Sequence, residues 1–237
     1  MREIKTMIDQ YVPRESGIEL LRETPLVLLV GITGAGKNTV LNEMVKTGEF
    51  RDLITTITRE LRYNDGVLEC EGVDYYFINE ERAQDLLETG QYLEVSLVHD
   101  RVYGVTEDEI RRARMAGKIA IADIDVQGVE KYKRLSPNVT AIFLVPPSYE
   151  EWRRRVSGRY TDETAFLEDW PNRRQSAIME LERALAAPYY HFVINDELPD
   201  AVDACIKISH NQDVFVRKDD EIKLVVRDLL DQIKTQE

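Results

Sequence analysis

A run of five apolar residues, 26–30, leads straight into Gly31-Ile32-Thr33-Gly34-Ala35-Gly36-Lys37, and this junction limits the possible folds more than any other stretch. An unbroken apolar run of this length is the pattern of a strand buried on both faces of a parallel sheet. The residues after Lys37 have helical spacing, so the glycines fall between a buried strand and a helix N-terminus. That context makes a G-x-x-x-x-G-K pattern a phosphate-binding loop rather than an ordinary turn. Glycines let the backbone approach phosphate oxygens, the loop amides and helix N-terminus favour negative charge, and the lysine reaches the outer phosphates. Thr33, Gly34, Ala35, Gly36, Lys37, Asn38 and Thr39 are therefore the candidate nucleotide contacts. Asn38 stands where the strict pattern has Ser or Thr, with a hydroxyl one place later at Thr39. A bound Mg²⁺ is thus expected to be held largely by phosphate oxygens and water.

Short apolar runs recur at 119–122, 141–145 and 192–194, with helical patterns at 38–46, 107–115, 149–156 and 172–185. Strands alternating with helices predict an α/β fold of three layers around a central parallel sheet, here the P-loop NTPase fold. Residues 55–105 break the alternation with short Tyr- and Val-rich pieces and are read as a small inserted mixed α+β subdomain. Residues 214–216 suggest a short strand, followed by a helix from about 219 to 233. Its stripe of Ile222, Val225, Leu229 and Ile233 suits either packing against the body or a homodimer face.

The net charge of −13 argues against nucleic acid or an anionic membrane as the main partner, since both require a broad basic face. Cys70 and Cys205 form neither a disulfide framework nor metal-ligand spacing. The first 23 residues mix both charge signs without an apolar leader core, and the run at 25–30 is far short of a membrane span. These features predict a cytoplasmic protein.

The acceptor of the phosphate must be read elsewhere. Arg59 and Arg62, in Thr58-Arg59-Glu60-Leu61-Arg62, offer planar forks suited to a terminal phosphate. Tyr75 and Tyr103 can donate to a phosphate or stack on a base. Glu94 is an acid in an apolar strand-like patch and needs a partner, which a purine N–H edge would supply. Asp123 and Asp125, in Asp123-Ile124-Asp125-Val126-Gln127-Gly128, follow a strand at its carboxyl end, where ligands of α/β sheets sit.

Taken in order, the loop, Thr-Arg-x-x-Arg, Gly-x-Asp-Tyr-x-Phe, Glu94, Tyr-Gly, Asp-Ile-Asp-x-Gln-Gly, Pro146-Pro147-Ser148, Gly158-Arg159 and Asn195-Asp196 resemble the guanylate kinases from about residue 26 to 208. The resemblance implies Mg²⁺-dependent transfer of the ATP γ-phosphoryl group to GMP. It implies a phosphate clamp of Arg59, Arg62 and Tyr103, with Tyr75 beside it, and guanine readers Thr55, Glu94 and Asp125. Asp123 would stand nearest the metal, directly or through water. Arg155, Arg159 and Arg174 would close on the moving phosphoryl group together with Lys37, and Asn195 would touch adenine. The implied layout is an N-terminal extension at 1–23 and a kinase core at 24–54 and 106–211. A helical lid lies near 157–174, the nucleoside-monophosphate-binding subdomain at 55–105, and a mostly helical C-terminal extension at 212–237.

Two positions depart from the family pattern. Tyr160 opens a longer lid, and Val105 follows Tyr-Gly where the family has a Ser or Thr that bonds the guanine O6. Two alternatives share the acceptor chemistry: a non-catalytic phosphopeptide-binding module of the same fold, and a kinase for another small phosphorylated acceptor. The intact Gly36-Lys37 weighs against the first.

Overall fold

The computed structural model describes residues 2–64, 66–210 and 216–236. The N-terminal part comprises α1 (Arg2–Asp9), α2 (Glu15–Glu23), β1 (Leu26–Gly31), α3 (Lys37–Lys46) and β2 (Phe50–Asp52). Four short strands follow: β3 (Thr56–Ile57), β4 (Tyr63–Asn64), β5 (Val67–Leu68) and β6 (Tyr76–Phe77). Next come α4 (Glu80–Glu88), β7 (Tyr92–Val98), β8 (Arg101–Thr106), α5 (Glu107–Met115), β9 (Ile119–Asp123) and α6 (Val126–Leu135). The chain ends with β10 (Thr140–Val145), α7 (Tyr149–Ser157), α8 (Glu163–Ala186), β11 (Tyr190–Ile194), α9 (Leu198–His210) and α10 (Val216–Thr235).

A five-stranded sheet has the order β11-β10-β1-β9-β2, with β10 pairing in parallel to both β1 and β11. Every residue of β1 and of β10 is buried, the environment their unbroken apolar runs call for. A separate mixed sheet has the order β6-β3-β8-β7, and β4 and β5 form a small hairpin. No helix among the described residues is long and apolar enough to cross a membrane.

The chain divides into two compact units. One comprises Met1–Leu26, Phe50–Ala120 and Glu130–Val139, and holds the mixed sheet. The N-terminal residues, expected as an extension, belong to its core. Ile4 of α1 is buried among Ala83, Leu86, Leu87, Tyr92, Val95 and Val102, and the Tyr11 hydroxyl donates to Tyr92 O at 2.7 Å. Arg14 pairs with the buried Glu107. Apolar spacing in so short a helix does not reveal which surface it covers.

The other unit comprises Val27–Glu49, Ile121–Val129 and Thr140–Glu237. In it α8 begins at Glu163, nine residues before the expected start at 172, with the Asp162 side chain accepting from Ala165 N at 2.8 Å. The helix runs through Pro171, a residue that ordinarily ends one. Burial of Phe166 and Trp170 before the proline, and of Ala177, Leu181 and Ala184 after it, holds the helix on both sides. Val214 and Phe215 of the expected strand lie outside the described residues, and Val216 begins α10. Helix α10 packs on α8 and β11, burying Val226, Leu229, Leu230 and Ile233. Leu229 and Ile233 of the expected stripe thus face their own chain, whereas Val225 is exposed.

Candidate active site

The phosphate loop joins β1 to α3. Gly31, Gly34 and Gly36 all have positive φ, and at Gly36 a Cβ would lie 2.3 Å from Asn195 Nδ2. Side chains are excluded there by both conformation and space. With Gly36 as its N-cap, α3 has no side-chain cap, so its first-turn N–H groups stay available to an anion. Lys37 Nζ donates to Gly31 O at 2.7 Å and lies 3.9 Å from Asp123 Oδ1. Burial raises the Asp123 carboxyl above its ordinary range, with Lys37 and Arg159 opposing the shift. Asp125 accepts from Gly128 N at 2.7 Å, capping the start of α6.

Asn195 is buried, and its Nδ2 donates to Ala35 O at 2.8 Å. This bond holds the loop's shape. Arg155 donates to Glu151 at 2.6 Å and to Asn195 O at 2.9 Å, whereas Arg159 is exposed. Arg174 is placed differently from expectation: its Nε and Nη2 donate to Ile233 O at 3.2 and 2.7 Å. Its guanidinium is therefore directed at the last turn of α10. Nothing in the chain's local pattern pairs residue 174 with 233; only the packing of α10 on α8 does. In the lid segment the Tyr160 hydroxyl donates to Asp169 at 2.6 Å, and Arg173 donates to both.

One residue in this unit escaped sequence reading. Glu180 of α8 lies within electrostatic reach of Lys37, Asp123 and Asp125, and burial pushes its carboxyl up to about 7. It sits in an ordinary helical repeat, so only tertiary contact distinguishes it. Trp152 is a second: its Nε1 donates to Thr33 O at 2.8 Å, and its ring lies 4.8 Å from that of Trp170.

The acceptor candidates gather on one face of the mixed sheet. Residues directly opposite across paired strands project to the same side, and alternate residues along a strand share it. Glu94 is opposite Val105, Ser96 opposite Tyr103, and Tyr103 opposite Ile57, which in turn is level with Phe77. This face therefore carries Glu94, Ser96, Tyr103 and Val105, and alternation brings Thr55, Arg59 and Tyr75 to it. The Arg59 guanidinium lies 5.2 Å from the Tyr75 ring and 5.5 Å from the Phe77 ring, and Tyr75 packs edge-on to Tyr103. Ser96 is new to the set, although counting two residues on from Glu94 points to it.

Arg59 is only 8% exposed and makes a two-point ion pair with Glu69, its Nη2 donating at 2.7 Å. Arg59 holds the Glu69 carboxyl down to about 2. The Arg59 Nε is buried without a hydrogen-bond partner among the described residues. Arg62 donates its backbone N–H to Glu69 at 2.8 Å, and its side chain is exposed. Glu94, an acid that needs a partner, accepts from Lys131 Nζ at 2.7 Å.

A glycine loop opening a helix at the end of a buried parallel strand, together with a mixed-sheet unit presenting arginine, tyrosine and glutamate on one face, defines a P-loop phosphotransferase of the nucleotide-kinase class. The sequence model of the guanylate kinase family matches residues 22–211. A guanylate kinase of Coxiella burnetii is 33% identical over 79% of this chain and 87% of its own length. One of Myxococcus xanthus is 36% identical over 73% and 79%. The crystal structure of guanylate kinase from Anaplasma phagocytophilum superposes with a TM-score of 0.58 at 25% identity, covering 81% of this chain and 88% of that one. The chain belongs to the guanylate kinase family.

Proposed function

We propose that the chain transfers the γ-phosphoryl group of ATP to GMP, giving ADP and GDP. The observation that carries this reading is the acceptor face, which combines a buried arginine stacked on aromatic rings with a carboxylate in register beside it. The Arg59 fork, with Arg62, Tyr75 and Tyr103, suits a phosphate dianion, and Glu94 suits the N–H edge of guanine. Thr55, on the same face, is assigned to the same base.

On the donor side the amides of Thr33 to Thr39 and the Lys37 ammonium receive the ATP phosphates. Asn195, bonded to Ala35 O of the loop, is assigned to the adenine of ATP. Phosphoryl transfer consists largely of alignment and of neutralising charge on the moving oxygens. Arg155 and Arg159 contribute to that neutralisation; Arg174 could do so only after leaving Ile233. Mg²⁺ bound with ATP would be held by phosphate oxygens and water, with Asp123 as its protein partner directly or through water.

A coupled assay across AMP, GMP, dGMP, UMP and CMP tests the reading, with GMP expected as the best acceptor. Lys37→Ala is expected to fold normally and to lower kcat at least ~100-fold, the scale for losing one preorganised charge-stabilising donor. Near-normal turnover by that variant would remove the donor-site assignment.

A further inference from the structure

We propose that Lys131 is a specificity-determining residue, which with Glu94 forms a donor–acceptor pair that reads the N1–H and O6 edge of an oxopurine acceptor. The inference rests on the acceptor reading above. Lys131 Nζ donates to Glu94 Oε1 at 2.7 Å and to Val95 O at 2.9 Å. An ammonium has three N–H bonds, so one remains for a ligand. The pair sits beside β7, the edge strand of the mixed sheet. Glu94 and Lys131 line a cleft of about 370 Å³ together with Tyr11, Val12 and Pro13.

Polarity decides what such a pair can recognise. Guanine and hypoxanthine place a donor, N1–H, next to an acceptor, O6. A carboxylate and an ammonium side by side match that order. Adenine reverses it, with an unprotonated N1 next to an amino group, so both members of the pair would meet a like partner. Val105, directly opposite Glu94 on the same face, is a hydrocarbon and has no donor for O6. Lys131 supplies the donor that position 105 lacks. The Lys131 side chain is 46% exposed, so its ammonium can reach a ligand while it stays bonded to Glu94, whose side chain is 12% exposed.

The test uses the full-length protein, wild type and Lys131→Met, with GMP, IMP, AMP and 6-thio-GMP, which keeps N1–H and the 2-amino group but has a weakly accepting sulfur in place of O6. Lys131→Met is expected to lower kcat/KM for GMP and IMP alike by about ten- to a hundredfold, the loss of one charge-assisted hydrogen bond. AMP should be unaffected, the loss for 6-thio-GMP should be markedly smaller than for GMP, and the KM for ATP should not change. Equilibrium binding should show the same selective loss, and Lys131→Gln, which keeps a neutral donor, should recover part of it. Equal losses for GMP and 6-thio-GMP would overturn the proposal, because Lys131 would then act only by orienting Glu94. An unchanged GMP-to-AMP ratio would also overturn it. If wild type used none of the purine monophosphates, the acceptor reading itself would fall, and this inference with it.

Discussion

Arg59 combines a structural anchor with the clamp role proposed for it. Its fork is anchored to Glu69 and stacked on Tyr75 and Phe77, which fixes the guanidinium before any substrate arrives. Arg59→Ala is expected to raise the KM for the monophosphate ten- to a hundredfold while leaving that for ATP nearly unchanged, as for a lost charge-assisted contact. Equal changes in both would assign Arg59 to the fold alone. Glu180 makes a different prediction. Its folded-state carboxyl is raised from 4.5 to about 7, so its ionisation opposes folding. The associated stability is fully present below about pH 4.5 and is lost as pH rises through 7. Glu180→Gln should therefore be more stable than wild type at pH 8, by at most about 3 kcal/mol, and the difference should vanish near pH 4. Denaturant melts at the two pH values check this, and a constant difference would show that the carboxyl is not held neutral.

Between elements, the donor unit is tied together at two places. Trp170 of α8 stacks on Trp152 of α7, which in turn holds the phosphate loop through Thr33 O. Farther along α8, Arg174 bonds the last turn of α10, and Lys234 pairs with Glu182 at 2.7 Å. A cation at a helix C-terminus meets unsatisfied carbonyls and the negative end of the macrodipole. Arg174→Ala is thus expected to speed amide exchange in residues 230–235 while lowering kcat less than tenfold. Arg159→Ala should lower kcat about a hundredfold without altering exchange in α10. A large kcat loss in Arg174→Ala with unchanged exchange would return Arg174 to the transferring phosphoryl group.

At the scale of the whole molecule, the family match ends before both termini are accounted for. Residues 1–21 and 212–237 lie outside it, yet each terminal helix is built into the core of its own unit. Ile4 is 4% exposed and Ile233 is fully buried. Ile4→Ala should cost ~2–5 kcal/mol, the range for large-to-small core changes. The resulting loss of exchange protection should fall on α4, β7 and β8. Protection lost equally in β1 and β10 would show that the two units unfold as one.

The local chemistry was legible from sequence. The unbroken apolar runs of β1 and β10 could only be buried strands, and a glycine loop closing on Lys37 has few uses besides phosphate. Arg59, Tyr75, Glu94 and Tyr103 could be named as ligand candidates from their residue types together with the order of the motifs that carry them. Sequence could not show which partners those were. The Lys131 bond to Glu94, the Arg174 bond to Ile233, and the proximity of Glu180 to Lys37 each join residues at least 37 positions apart. No local periodicity encodes such pairings. The continuation of α8 through Pro171 and the incorporation of α1 into the acceptor unit have the same origin. Local propensities are worth tenths to a few kcal/mol, and burial of Trp170 or Ile4 against a distant segment outweighs them.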